Sequence, residues 1–169
     1  YIGSAFNKLP EFKRPEALEY MERNADGAGR SIFQCSQRML RLVMKHYRCA
    51  VYVDYPNVAP SRNREEDKRK NAFPMIHTLN AKSVIDWDYI IVGNQKKLSF
   101  VKILEMVSTR GPDGFTRQSK EQYRVLRLEG AETGNLFYTV QIYTSDDDGN
   151  WAEGIKYTPT DYHGATWSY

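Results

Sequence analysis

The stretch from residue 31 to residue 54 constrains the fold of this chain more than any other, because a helical pattern in it leads directly into a strand pattern. Apolar side chains recur at three- and four-residue spacing after Ser31, which is typical of a helix that buries one face. Ser31 and Gln34 have the spacing of a capping box, so we expect the helix to begin there. A β-favouring run at 49–53 follows, and Pro56 ends it. The sequence therefore predicts a long amphipathic helix packed on a sheet.

The remainder of the chain completes the pattern of an α+β fold. A shorter helical pattern at 16–23 precedes the long helix across a glycine-containing connection, so the two are expected to form an N-terminal helical hairpin. From residue 73 onward, strand-favouring runs alternate with turns, the clearest at Gly93 and Asn94. These runs predict a mainly antiparallel β-meander of about five strands. We expect a single domain over residues 1–169, in which the long helix packs on that meander.

Two segments are expected to lie outside the core. Residues 1–15 carry apolar side chains without sustained periodicity and are interrupted by proline, which predicts an extended arm. Residues 57–72 hold a mixed-charge run with little to bury, which predicts a mobile charged loop. The basic side chains of that run are candidates for contact with nucleic-acid phosphates or with a partner, although acidic residues lie between them. They are Arg62, Arg64, Lys68, Arg69 and Lys70.

Composition and charge limit the classes of protein to which this chain can belong. The chain has 24 basic and 21 acidic residues, a net charge of +3, which is too little to require nucleic acid as a partner. It has no apolar run near the ~20 residues that span a bilayer, so no membrane association is expected. Cys35 and Cys49 lack the spacing of metal ligands and are expected to be free thiols. Because the chain begins at Tyr1 without an initiator methionine, we expect it to be a piece of a longer protein.

No pattern in the sequence assigns catalytic chemistry. The three histidines are scattered, and no serine or cysteine beside them has the surroundings of a nucleophile. Residues 29–31 precede a helix in the way that a phosphate-binding loop ends, but Asn24 stands where such a loop needs its first glycine. We therefore assign no catalytic residue, no metal ligand and no cofactor.

Two alternative functions stay open at this point. Asp54, Asp86 and Glu105 lie at or near predicted strands, and carboxylates so placed could hold magnesium in a small nuclease. A DNA-binding module that uses the basic residues of 62–70 is the other alternative. The first would need its three carboxylates to converge on one ion, and the second would bind DNA with an affinity that falls steeply with salt.

Four short motifs follow one another along the chain: 24–31 (NADGAGRS), 50–56 (AVYVDYP), 80–87 (NAKSVIDW) and 121–126 (EQYRVL). Their order, over most of the chain up to about residue 140, resembles that of tailed-bacteriophage portal proteins, in a group long catalogued as a domain of unknown function. The motifs are short and none is catalytic, so the resemblance depends on their order.

This resemblance implies a structural role. The chain would correspond to the N-terminal wing of a portal subunit, with the stem, clip and crown in further parts of the protein. Portal proteins form a ring of twelve subunits at one capsid vertex. A terminase motor drives double-stranded DNA through the ring, tail connector proteins attach to it, and capsid and scaffolding proteins surround it. The portal itself is not an enzyme. The implied location is the virion, at the capsid vertex, and the host cytoplasm during assembly.

Apolar side chains near the two ends of the chain are candidates for contact between subunits, because apolar groups without a partner in one domain often belong to an interface. These residues are Ile2, Phe6, Phe12, Trp167 and Tyr169.

Overall fold

The protein, in a computed structural model, is described over residues 2–8, 11–55, 63–70, 72–145 and 149–160. The chain divides into two compact units, residues 1–81 and residues 82–169. Each unit contains a sheet of its own, and the single domain that the sequence predicts over residues 1–169 stays a prediction. The fold is a mixture of α and β structure, as the sequence predicts.

The first unit combines helices with a two-stranded sheet. In chain order its elements are α1 (Ile2–Ala5), a 3₁₀ helix (Glu16–Glu22), α2 (Ile32–His46), β1 (Cys49–Asp54), α3 (Arg64–Lys70) and β2 (Met75–Asn80). β1 and β2 pair antiparallel along their whole length, from Cys49 opposite Asn80 to Asp54 opposite Met75. α2 lies against this pair of strands.

α2 begins at the predicted capping box and ends at a left-handed residue. The Ser31 hydroxyl accepts a hydrogen bond from the Gln34 N–H at 3.2 Å, and the Gln34 side-chain oxygen accepts one from the Ser31 N–H at 2.9 Å. Cys35, one turn further on, is buried, and burial raises the pKa of its thiol. At the other end Tyr47 has a φ of 60°, and its N–H donates to the Val43 carbonyl at 2.7 Å.

The structure does not show the predicted helical hairpin with a long amphipathic helix on the meander. The segment before α2 is a 3₁₀ helix, the form common in short pieces, and here only seven residues separate Pro15 from Arg23. α2 contacts β1 and β2 of its own unit. Near its C-terminal end Val43 and Met44 are 40% and 53% exposed, so the predicted apolar stripe is only partly buried.

The charged segment forms helix α3 where the sequence predicts a mobile loop over 57–72. The Asn63 side chain accepts a hydrogen bond from the Glu66 N–H at 3.0 Å, which caps the helix. The three acidic residues fall in the first turn and three basic residues fall in the last, an order that the helix dipole favours. Glu66 and Lys70 also form an ion pair at 2.9 Å, one turn apart. Residues 57–62 and 71 lie outside the described residues.

The N-terminal arm, predicted to be extended over 1–15, contains the short helix α1 and is attached to its unit at two points. The Phe6 ring packs edge-on against Phe33 of α2, with 5.2 Å between the ring centroids. Arg14 forms an ion pair with Glu22 of the 3₁₀ helix at 2.8 Å. Residues 11–15 between these contacts adopt no regular secondary structure, as expected of an arm.

The second unit is a five-stranded antiparallel meander, which confirms the predicted sheet. Neighbouring strands in the chain are neighbours in the sheet throughout. The predicted turn between the first two strands is present, with φ of 53° at Gly93 and 62° at Asn94, the left-handed values that a tight hairpin of this kind requires. The strands are β3 (Val84–Val92), β4 (Gln95–Arg110), β5 (Arg117–Glu129), β6 (Phe137–Ser145) and β7 (Trp151–Tyr157).

The central hairpin of β4 and β5 is longer than its neighbours. β3 pairs with β4 only as far as Ile103, and β6 pairs with β5 only from Gln122 onward. Residues 106–121 therefore form a two-stranded ribbon beyond the other strands, with Arg110 opposite Arg117 at its end. Both edge strands are irregular, because the pairing shifts register twice along β3 and once along β7.

Tyr47 offers a test of the helix end. Its side chain is 93% exposed, while its left-handed backbone costs a non-glycine residue about 1 kcal/mol. We expect Tyr47→Gly to raise the Tm in thermal unfolding followed by circular dichroism, by an amount that corresponds to about 1 kcal/mol. Tyr47→Ala, which keeps the backbone penalty, should bring no gain. A glycine variant that melts below the alanine variant would mean that the ring, and not the backbone, matters at this position.

Candidate functional site

One face of the five-stranded sheet carries an aromatic patch. Tyr123 and Trp151 stack with 4.1 Å between their ring centroids. The Lys102 Nζ lies 3.9 Å from the centroid of the Tyr123 ring, and the Arg127 guanidinium lies 5.6 Å from that of Phe100. These side chains surround a shallow cavity of about 380 Å³. The patch consists of Phe100, Lys102, Tyr123, Arg127, Tyr143 and Trp151.

The aromatic patch is suited to contact with another surface. Its two cations already make cation–π contacts with rings of the same sheet, so these contacts are not available to another molecule. Beside the patch, Glu129 accepts hydrogen bonds from Thr139 at 2.8 Å and from Lys156 at 3.1 Å, and these lower the pKa of its carboxyl. What remains available is a flat aromatic surface with a polar rim, which is typical of protein interfaces.

The opposite face of the sheet holds a network around Glu105. Arg124 binds this carboxylate through two nitrogens, Nε at 2.7 Å and Nη2 at 3.3 Å. The Gln122 amide donates to it at 2.6 Å, and the Arg124 Nη1 also donates to the Tyr157 hydroxyl at 3.0 Å. This network joins β4, β5 and β7, so Glu105 has a structural role across the sheet.

The tip of the ribbon is a hydrogen-bonded turn that presents an aromatic ring. The Asp113 carboxylate accepts hydrogen bonds from the Phe115 N–H at 3.0 Å and from the Thr116 N–H at 2.9 Å, and the Thr116 hydroxyl donates to it as well. The bonds from Thr116 and Phe115 hold the pKa of Asp113 below its usual range. Arg110 donates to the Gly114 carbonyl at 3.2 Å. Above this fixed backbone the Phe115 side chain is 89% exposed.

Three of the five residues predicted to contact phosphates or a partner lie close to acidic residues. Lys68, Arg69 and Lys70 lie in α3, each within a turn of an acidic residue. Arg64 is the first residue of that helix, and Arg62 lies outside the described residues. The acidic residues of α3 therefore offset most of the positive charge that the sequence offers there.

The structure describes three of the five residues that the sequence predicts at subunit contacts. Ile2 belongs to α1, and Phe6 uses part of its ring against Phe33 inside the first unit. Phe12 is 38% exposed. Trp167 and Tyr169 lie outside the described residues. The sequence analysis did not select Phe115, whose exposure depends on the length of the ribbon and not on any local pattern.

The carboxylates of the nuclease alternative do not share one site. Asp86 stands opposite Lys102 in the register of β3 and β4. Since Lys102 and Glu105 are three residues apart in one strand, Asp86 and Glu105 point to opposite faces of the sheet. Asp54 belongs to β1 of the other unit, where the Tyr52 hydroxyl donates to it at 3.3 Å. Among the described residues, no group of three histidine, cysteine or acidic side chains is placed to hold a metal ion.

The loop before α2 holds a carboxylate of its own where a phosphate-binding loop holds phosphate. The Asp26 Oδ1 accepts hydrogen bonds from the Ala28 N–H at 2.9 Å and the Arg30 N–H at 3.0 Å, and its Oδ2 pairs with the Arg30 guanidinium at 2.6 Å. The Gly29 N–H donates to the Asn24 side chain at 2.8 Å. The backbone donors that would bind an anion are thus used internally.

The protonation of Asp26 should decide the order of this loop. Burial acts to raise the pKa of Asp26, but the hydrogen bonds from Arg30 and Ala28 outweigh it, and the pKa lies below its ordinary value. The stabilisation is therefore complete above the ordinary aspartate pKa and is lost as the pH falls through the folded value. We expect the amide shifts of Ala28 and Arg30 in NMR spectra to titrate together, with a midpoint below that of an unperturbed aspartate.

Asp26→Asn is the control for this titration, since it removes the charge and keeps the shape. The amide shifts should then stay constant across the acid range. A wild-type midpoint above the ordinary aspartate value would show that burial outweighs the hydrogen bonds.

Comparison with known proteins gives no assignment. No family model matches the sequence, and no curated protein matches it. Among the described residues, no helix is long and apolar enough to cross a membrane.

Proposed function

We propose that this chain is the wing region of a tailed-bacteriophage portal subunit, a structural protein that works by assembly and has no catalytic activity of its own. In the virion it would lie at the capsid vertex, and during assembly in the host cytoplasm. Its partners would be further copies of itself in a ring of twelve, capsid and scaffolding proteins, the terminase motor, tail connector proteins and the double-stranded DNA that passes through the ring. The order of the four motifs at 24–31, 50–56, 80–87 and 121–126 supports this family.

The observation that carries the proposal is the ribbon. It extends two strands beyond the rest of the sheet and fixes its tip with the Asp113 hydrogen bonds. It leaves Met106 62% and Phe115 89% exposed. Burying one such side chain contributes about 1.5–3 kcal/mol, so a neighbour that covered both of them would gain a substantial part of a contact's stability. A subunit whose function is to contact its neighbours would present an arm of this kind.

The aromatic patch adds a second surface of the same type. Its cavity of about 380 Å³ is shallow and lined by rings, with cations that already lie over those rings. Surfaces rich in tyrosine, tryptophan, phenylalanine and arginine are typical of the centres of protein interfaces. The patch and the ribbon would give the wing two separate contacts with its surroundings.

We include in the proposal the finer arrangement that the sequence predicts for the wing, an N-terminal helical hairpin with one long amphipathic helix. The exposed Val43 and Met44 at the end of α2 support it, because they continue the apolar stripe of that helix.

The first test is the mass in solution of this chain and of the longer parent subunit that the proposal requires, by size exclusion with light scattering. We expect the parent to form a closed ring of about twelve copies, since ring symmetry repeats one interface until it closes. A parent that stays monomeric or dimeric at every salt concentration would contradict the portal assignment.

The second test concerns the ribbon in that parent subunit. Phe115→Ser should lower the fraction of protein in the ring, because it removes the apolar surface of the tip without touching the Asp113 turn. Ile155→Ser removes a side chain that is 72% exposed on the edge strand β7, and it should leave assembly intact. Equal assembly of the two variants would exclude the ribbon tip as a subunit contact.

A further inference from the structure

Helix α2 has a basic face that the charge total of the chain conceals. The helix runs from Ile32 to His46 and contains no aspartate or glutamate. Arg38, Arg41 and Lys45 follow one another at spacings of three and four residues, which places them in one row along the axis. All three are exposed. The row covers about 10 Å at the rise of an α-helix.

The row has no acidic partner in the part of the chain that the structure describes. Among the described residues, no carboxylate forms an ion pair with Arg38, Arg41 or Lys45. Nearby Arg30 shows the contrast, because it pairs with Asp26 at 2.6 Å. In α3, Lys68, Arg69 and Lys70 follow three acidic residues, and Lys70 pairs with Glu66. The compensation found elsewhere in this unit is absent from the exposed face of α2.

The stability of the helix does not require this row. Lys45 lies in the last turn, where positive charge interacts well with the helix dipole, but Arg38 and Arg41 lie in the middle, where that effect has faded. Like charges three or four residues apart on a helix repel each other slightly. A row that costs a little stability and is left uncompensated points to an anionic partner.

The surroundings of the row favour phosphate over a protein surface. A cavity of about 510 Å³ lies beside it, lined by Arg30, Gln34, Gln37, Arg38, Arg41 and Leu42. These are polar side chains with a single aliphatic one, and the aromatic anchors of a protein interface are missing from this lining. Guanidinium groups bind phosphate oxygens through two parallel hydrogen bonds, and neutral amides can add further ones.

We propose that this face of α2, formed by Arg38, Arg41 and Lys45, binds the phosphate backbone of double-stranded DNA without sequence preference. Duplex DNA carries one negative charge per about 1.7 Å of its axis, so several phosphates lie within reach of a row about 10 Å long. The portal assignment gives this helix no such contact. The basic residues of 62–70, which the sequence first suggests, are not part of this surface.

The test measures the salt dependence of binding to a fluorescein-labelled duplex of about 30 base pairs and mixed sequence, by fluorescence anisotropy at about 50–200 mM potassium chloride. Removing three phosphate contacts lowers the slope of log K against log salt by about 2.7. We therefore expect the triple variant Arg38→Gln, Arg41→Gln, Lys45→Gln to lose about that much slope, and its affinity at low salt to fall at least about tenfold.

The matched control is Lys68→Gln, Arg69→Gln, Lys70→Gln, which makes the same change of net charge on another helix of the same unit. It should keep the slope and affinity of the wild type. Arg38→Lys with Arg41→Lys keeps the charge of the row and should also keep the slope. If the α2 triple variant melts early by circular dichroism, Arg41→Gln alone should still lower the slope by about 0.9.

Three outcomes would overturn the inference: no salt-dependent binding by the wild type, an equal loss in the two triple variants, or stronger binding to polyglutamate than to the duplex. The last would assign the row to an acidic protein. None of these results depends on ring formation, so a failure here is distinguishable from a failure of the portal assignment.

Discussion

The backbone pairing of β4 with β5 is the interaction on which the second unit depends. It continues without a break from Phe100 opposite Arg127 to Arg110 opposite Arg117. β3 pairs with the outer edge of β4, β6 pairs with the outer edge of β5, and β7 pairs with β6. In a meander each strand pairs with the next strand in the sequence, so the pairing residues are separated by short turns. The length of the central hairpin decides where the sheet ends and the ribbon begins.

The first unit depends more on side chains that bind backbone. Asp26 and Asn24 hold the loop before α2, the Ser31 and Gln34 box starts the helix, and Asn63 starts α3. Each of these satisfies donors that a helix start or a tight loop leaves without partners. The sheet of this unit has only two strands, so these side-chain bonds supplement the few backbone pairs that the strands make. The Tyr20 hydroxyl, which donates to the Pro74 carbonyl at 2.8 Å, adds a tie between distant parts of the chain.

Local signals in the sequence were sufficient for the elements that form locally. The capping box, the β1 run and the hairpin at Gly93 and Asn94 each involve residues within a few positions of one another. The helix at 64–70 was missed because total charge was weighed, while the order of the charges, acidic first and basic last, carries the helical signal. The pairing of β1 with β2 could not be predicted for a different reason: the two strands are more than twenty residues apart, and no short window of sequence reveals the partner.

The two candidate surfaces also differ in whether local sequence is enough to predict them. The aromatic patch brings Phe100 and Trp151 together through the registers of four successive strands, which cannot be read from the sequence without the pairing. The basic row on α2 could have been found from the sequence, because the spacing of Arg38, Arg41 and Lys45 and the lack of acids are visible there. The sequence interpretation considered only the apolar residues of this helix, so it did not identify the basic row. The portal assignment stays a proposal supported by motif order and by the ribbon.

The irregular edges of the sheet determine how it can associate. Exposed edge strands invite another chain to continue the sheet, but β3 shifts register twice and carries Asp86 and Asp88, and β7 shifts once beside Gly154. Charges and bulges at an edge interrupt the regular row of donors and acceptors that an added strand needs. Growth by strand addition is therefore disfavoured along β3 and along β7. Copies of this unit at high local concentration would therefore meet through the faces of the sheet or through the ribbon more readily than through β3 or β7.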